Sequence, residues 1–256
     1  SSTLKQQYMS ATISILHPQT PKRILLVAAN PAISGQTGWE IGFWASELIH
    51  SYWAFVEKGY TIEIVSPEGG KVIHDSWSDP RDKSGYSEHD ILSLGFLCSP
   101  RHAALLENTK SISKVSVEDY DAIFVAGGQS PMYTFIDNAP LQKLLVSFYE
   151  ADKITAVVCH ATCMLLKTKL SDGSLLVKGK TWTGFANTEE DYADNFVKQK
   201  IQPFRIEDEA KKMANTNFIT GGMFWPFALR DGNLITGQQQ YSAALAAGLV
   251  IEALGV

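Results

Sequence analysis

Short continuous apolar runs recur along the chain, separated by longer stretches in which apolar residues return every three or four positions. RILLVAAN (residues 23–30), DAIFVAGG (121–128) and TAVVCHA (155–161) are apolar without clear alternation, the pattern of strands covered on both faces. YTIEIVSP (60–67) alternates and is rich in β-branched residues, and NLITGQQQ (233–240) predicts a closing strand. Helical periodicity predicts helices over 43–58, stopped by Gly59, over 140–151, from the end of the fourth strand to Leu170, and over the alanine-rich 242–254. Residues 69–117 are less regular, with turn signals at Gly69-Gly70, Asp79-Pro80 and Ser99-Pro100 and a short helix near 102–109. A strand, a helix and a strand within about 45 residues form a βαβ unit, whose crossover implies parallel pairing. The expected fold is α/β: a single doubly wound, mostly parallel sheet with helices on both faces. It occupies 23–256, after an N-terminal extension of 1–22, and the irregular stretch 183–230 is expected to form an inserted flap.

Composition narrows the function classes. Hydrophobic residues make up 45% and charged residues 19% of the 256, enough for a real core. The net charge of −5 comes without a basic stripe, so no nucleic-acid partner is expected. No apolar run approaches the roughly 18 residues of a membrane span, and the N-terminal stretch lacks the layout of a secretory signal. Three cysteines, Cys98, Cys159 and Cys163, match neither a disulfide framework nor a four-ligand zinc pattern. A reducing, cytoplasmic setting is the natural reading, with neither a metal nor an organic cofactor expected.

The chemistry concentrates where AVVC runs into HATCMLLK. A buried strand passing through a sharp turn into a helix is the layout of a nucleophile elbow, which projects its residue beyond the carboxyl edge of the sheet. A thiol at a helix N-terminus is also expected to be stabilised as thiolate. The local pattern alone leaves two readings open, a reactive thiol at Cys159 and a buried core cysteine, with the second somewhat favoured. His160 follows directly, and an elbow can bring an imidazole beside its neighbour's thiol. Cys163 and Cys98 read as packing residues, and Trp182, Phe185, Trp225 and Phe227 as core aromatics or pocket walls.

AVVCHATCMLL, with DAIFVAGGQSPMYTF upstream, resembles the ThiJ/PfpI superfamily, and within it the heat-shock chaperone-like, glutathione-independent glyoxalases (glyoxalase III). GFWASELIHSYWAF, GYTIEIVSPEGG, TWTGFANTEED and DGNLITGQQQYSA resemble further parts of that family in the expected order. The resemblance implies a flavodoxin-like fold of the class I glutamine amidotransferase type and a homodimer. It implies that Cys159 is the nucleophile, His160 its neighbour, Glu47 a buried acid beside the thiol, and Glu190 (or Glu189) the acid that orients His160. It places Gly127, Gly128 and Gln129 at a turn that can face an oxyanion or substrate. Without it, Glu47 reads as a solvent-facing charge and the Glu189–Glu190 pair as a solvated face. The chain departs from the family at Gln129-Ser130 (usually His-Gly), at Ser51 (commonly proline), and at Gln239-Gln240-Tyr241-Ser242 (usually Asn-Pro-x-Ser).

These residues imply a cofactor-free cysteine enzyme acting on small electrophilic carbonyls, with methylglyoxal to lactate as the implied reaction. Acyl transfer by an amidase or peptidase shares the nucleophile but does not need Glu47 beside it, and a hydratase is a further enzymatic alternative. A stress-related holdase, or a redox sensor based on oxidation of Cys159, is the non-enzymatic alternative.

Overall fold

The computed structural model describes residues 22–255. The expected N-terminal extension therefore lies outside the described residues, apart from Lys22. In chain order the sheet strands are β1 (Arg23–Val27), β2 (Thr61–Ser66), β3 (Lys110–Ser111), β4 (Ala122–Val125), β5 (Ile154–Val158), β6 (Ala228–Asp231) and β7 (Leu234–Gly237). Their order across the sheet is β6-β7-β5-β4-β1-β2-β3. All neighbours pair in parallel except β6 with β7, an antiparallel hairpin at one edge. β1, β4 and β5 are central and almost wholly buried, which is why they read as unbroken apolar runs.

The main helices are α1 (Ala45–Glu57), α2 (Ile91–Cys98), α3 (Ala139–Glu150), α4 (Asn187–Val197) and α5 (Ala243–Leu254). The connection β1–α1–β2 moves one way along the sheet and β4–α3–β5 moves the other. Right-handed crossovers therefore put α1 and α3 on opposite faces. α5 packs beside α1. Because β1 and β4 are adjacent and lead outward in opposite directions, a crevice opens at their carboxyl ends, the usual ligand position of a doubly wound sheet.

Several elements differ from the sequence reading. The stretch after β5 is a 3-10 helix, Cys159–Leu166, rather than an α-helix to Leu170. The Thr162 hydroxyl takes the Cys159 carbonyl at 2.6 Å and the Thr168 hydroxyl takes that of Met164 at 2.6 Å, bonds that compete with a regular α-helical ladder. Within 69–117, α2 was not expected, and the helical turns near 102–109 fall instead at Pro100–Ala103 and Ala104–Leu106. The stretch 183–230 contains α4, a helix at Ile206–Lys211, a strand residue pair at Asn217–Phe218 and the edge strand β6.

Candidate active site

Cys159 directly follows β5 and turns the chain with φ of +58°, the left-handed region that a non-glycine residue seldom occupies. This is the elbow geometry. It delivers the thiol to the carboxyl edge of the sheet, beside the crevice at the ends of β1 and β4. Gly127 and Gly128 form the facing turn. A Cβ on Gly127 would lie 2.6 Å from Glu47 Oε1, 2.8 Å from the Val158 carbonyl oxygen and 2.9 Å from Cys159 Cβ, so only glycine lets the two turns approach. Gly128 has φ of +118°, and a Cβ there would strike the backbone of 42–44.

Glu47 lies in the first turn of α1 and is completely buried. α1 and the Gly127 turn bond reciprocally: Trp44 N–H donates to the Gly127 carbonyl at 3.1 Å, and Gly127 N–H donates to Glu47 Oε1 at 2.7 Å. Glu47 Oε2 has no hydrogen-bond partner among the described residues, and the carboxyl and Cys159 flank the same side of Gly127. Burial raises the Glu47 pKa to about 8 against the lowering effects of the thiol and of Gly127 N–H, and nearby Asp75 raises it further. The expectation of a thiolate stabilised at a helix N-terminus is overturned. Burial, then the charge and hydrogen bond of Glu47, push the Cys159 thiol well up, and the His160 backbone N–H opposes this only in part.

His160 Nδ1 lies 3.6 Å from Cys159 Sγ, and Nε2 lies 3.1 Å from Glu190 Oε2. Both side chains are buried, and Phe185 stacks on the imidazole at 4.0 Å. The structure separates the two glutamates that open α4. Glu190 meets His160. Glu189 instead accepts from Ala186 N–H, Phe224 N–H and the Gln238 amide, pinning the chain before α4 and the segment 221–224.

The thiol faces a narrow cavity of about 40 Å³. Trp44, Trp77, Tyr86 and Phe185 give it apolar walls, and Gln129, Gln202 and Gln240 bring amides to it. Of the other aromatics singled out in the sequence, Trp182 is buried and donates its indole N–H to Thr216, while Trp225 is largely exposed. Of the three residues expected at the oxyanion turn, Gly127 has its N–H engaged by Glu47, and Gln129 N–H donates to Asp75 Oδ2 at 2.9 Å. Gly128 N–H has no hydrogen-bond partner among the described residues.

The sequence reading missed Asp75. Fully buried, it accepts from Gly42 N–H at 2.8 Å and from Gln129 N–H, and burial raises its pKa to about 7 despite those bonds. It sits in a segment without periodicity, and only a lone acid beside turn residues marked it in the sequence. Among the described residues, no group of three or more His, Cys, Asp or Glu is arranged to hold a metal ion. No described helix is long and apolar enough to cross a membrane.

Comparison with known proteins adds an independent line. The model of the DJ-1/PfpI family matches residues 40–252. A probable glutathione-independent glyoxalase of Schizosaccharomyces pombe is 31% identical over 240 residues, covering 85% of this chain and 92% of the relative. The crystal structure of glyoxalase III from Candida albicans is similar with a TM-score of 0.74 and 26% identity, over 92% of this chain and 98% of that one. The rapid encystment protein of Francisella tularensis is similar with a TM-score of 0.80 and 26% identity, over 92% of this chain and all of that one.

Proposed function

The chain belongs to the DJ-1/PfpI family, and from that premise we propose that it is a glutathione-independent glyoxalase that converts methylglyoxal to lactate through Cys159. The observation that carries this reading is the buried Glu47 carboxyl against the Cys159 thiol, with its pKa raised to about 8. Acyl transfer needs a nucleophile, a base and an orienting acid, which Cys159, His160 and Glu190 would supply without Glu47. An intramolecular redox reaction needs, in addition, a group that moves a proton between two neighbouring carbons, and the proximity of Glu47 to Cys159 supports that role for it.

In this mechanism His160 Nδ1 takes the thiol proton as Cys159 Sγ bonds to the aldehyde carbon, and the proton passes to the carbonyl oxygen to give a hemithioacetal. Glu47 removes the proton from that carbon, the electron pair moves towards the adjacent carbonyl, and His160 carries the hydroxyl proton of the first carbon to the second oxygen. Glu47 returns the proton to the second carbon, leaving a 2-hydroxy thioester. His160, oriented by Glu190, activates water, which cleaves the thioester and restores the thiol. The aldehyde carbon is oxidised by two electrons and the ketone carbon reduced by two, so substrate and water alone balance the reaction. Backbone N–H groups near Gly128 and at the elbow would steady a developing oxyanion.

The cavity of about 40 Å³ weighs against a peptide substrate and for a molecule of a few heavy atoms. Lactate formation from methylglyoxal by purified protein, without glutathione, tests the reading. Turnover is expected for the wild type and a loss of about a thousandfold or more for Cys159→Ser. Amide hydrolysis with inertness toward glyoxals would replace it with acyl transfer. Suppression of aggregation that survives Cys159→Ser, without turnover, would replace it with a holdase.

A further inference from the structure

Of the four aromatic residues that wall the thiol cavity, three are tied to other groups of the site. Trp44 bonds the Gly127 carbonyl and opens the helix that carries Glu47, Phe185 stacks on His160, and Tyr86 has Gln240 as a partner. Trp77 differs. Its ring meets Trp39 at 5.6 Å, Tyr86 at 5.5 Å and Phe196 at 5.3 Å between centroids, and none of these takes part in the proposed proton transfers. Trp77 lies in the 3-10 turn Ser76–Ser78, directly after Asp75. The bonds of Asp75 to Gly42 N–H and Gln129 N–H fix that turn beside the cavity, which Gln129 also lines. The Trp77 carbonyl accepts from the Ser87 hydroxyl at 2.6 Å, which ties it to the loop that carries Tyr86. Three rings and an anchored turn make the indole a fixed wall.

Methylglyoxal and its larger relatives differ only in the group on the ketone carbon. The chemistry at the two carbonyl carbons is common to all of them, so the space left for that group selects among them. In a cavity of about 40 Å³ a methyl group can sit beside the reacting carbons, whereas a phenyl ring needs a wall to move. Packed interiors do not give way by the thickness of a ring without cost. We propose that Trp77 is a specificity-determining residue: its indole restricts the site to 2-oxoaldehydes with a small aliphatic group on the ketone carbon and excludes aromatic ones. This inference rests on the glyoxalase reading and narrows its substrate class.

The test compares kcat/KM for methylglyoxal and phenylglyoxal, from initial rates of lactate and mandelate formation, in the wild type, Trp77→Phe and Trp77→Ala. Each ratio comes from one preparation, so it does not depend on the fraction of protein that is folded. The wild type is expected to favour methylglyoxal by about tenfold or more, Trp77→Ala to lower that preference by about tenfold, and Trp77→Phe to lower it by less. A wild type that handles the two aldehydes equally, or prefers phenylglyoxal, overturns the inference without needing either variant. A preference unchanged in both variants, whatever their absolute rates, also overturns it while leaving the glyoxalase reading intact. Turnover of neither aldehyde by the wild type removes the glyoxalase reading, and the inference with it.

Discussion

At the scale of single residues, the site is a set of groups held where they would not rest alone. Cys159 keeps a left-handed backbone that costs about 1–3 kcal/mol in a non-glycine residue, offset locally by the Thr162 hydroxyl on its carbonyl. Glu47 is held neutral by burial until about pH 8. If Glu47 is the base at carbon, it must be ionised to act, so kcat/KM for methylglyoxal rises with pH towards about 8 and then levels. Glu47→Gln is expected to lower kcat by about a hundredfold to ten-thousandfold with little change in KM. Rate profiles from about pH 6 to 9 for both proteins check this, and a pH-independent wild-type rate would remove the carboxyl from the step. The adjacency of Cys159 and His160 at the end of an apolar strand was legible in the sequence. The burial of Glu47 was legible only through resemblance, because a glutamate in a first helical turn ordinarily faces water.

At the scale of elements, the site depends on how α1, the Gly127 turn and the segment around Asp75 are tied together. Asp75 bonds Gly42 N–H on one side and Gln129 N–H on the other, and its proximity raises the Glu47 pKa. Cys159 is the other titratable group acting on that carboxyl. Asp75→Asn removes the charge but keeps one acceptor oxygen. The rising limb of the pH–rate profile is expected to move to lower pH, and one freed N–H to cost about 1–3 kcal/mol of stability. A limb that stays in place while stability falls would reduce Asp75 to a purely structural tie. Elements with a clear period, such as α1 and α3, were legible in the sequence. α2 was not, because ILSLGFLC is apolar nearly all round and carries Gly95, so no helical face stands out. What holds its start is Asp90, which accepts from Ser93 N–H and from the His50 ring.

At the scale of the whole molecule, two carboxyls buried in neutral form give folding a pH dependence of definite sign. Glu47 and Asp75 have native pKa values of about 8 and about 7, above their ordinary 4.5 and 3.8. Through that window the native state binds more protons than the unfolded chain, so their contribution is complete below about pH 4 and is lost as pH rises towards 8. The thermal midpoint is expected to fall from about pH 5 to 8, and Glu47→Gln to flatten that fall. A midpoint that rises across the range would contradict the neutral burial of these groups. The sequence by itself determined the alternation of apolar strands and amphipathic helices, hence a mostly parallel α/β sheet, and it put Cys159 at a strand-to-helix turn, because these depend on neighbours along the chain. Only the tertiary structure decided that Glu190 rather than Glu189 meets His160, and that Asp75 holds the Gln129 turn. Each of these depends on groups brought together from distant segments by packing, where burial and the availability of a partner, rather than local pattern, set what a side chain does.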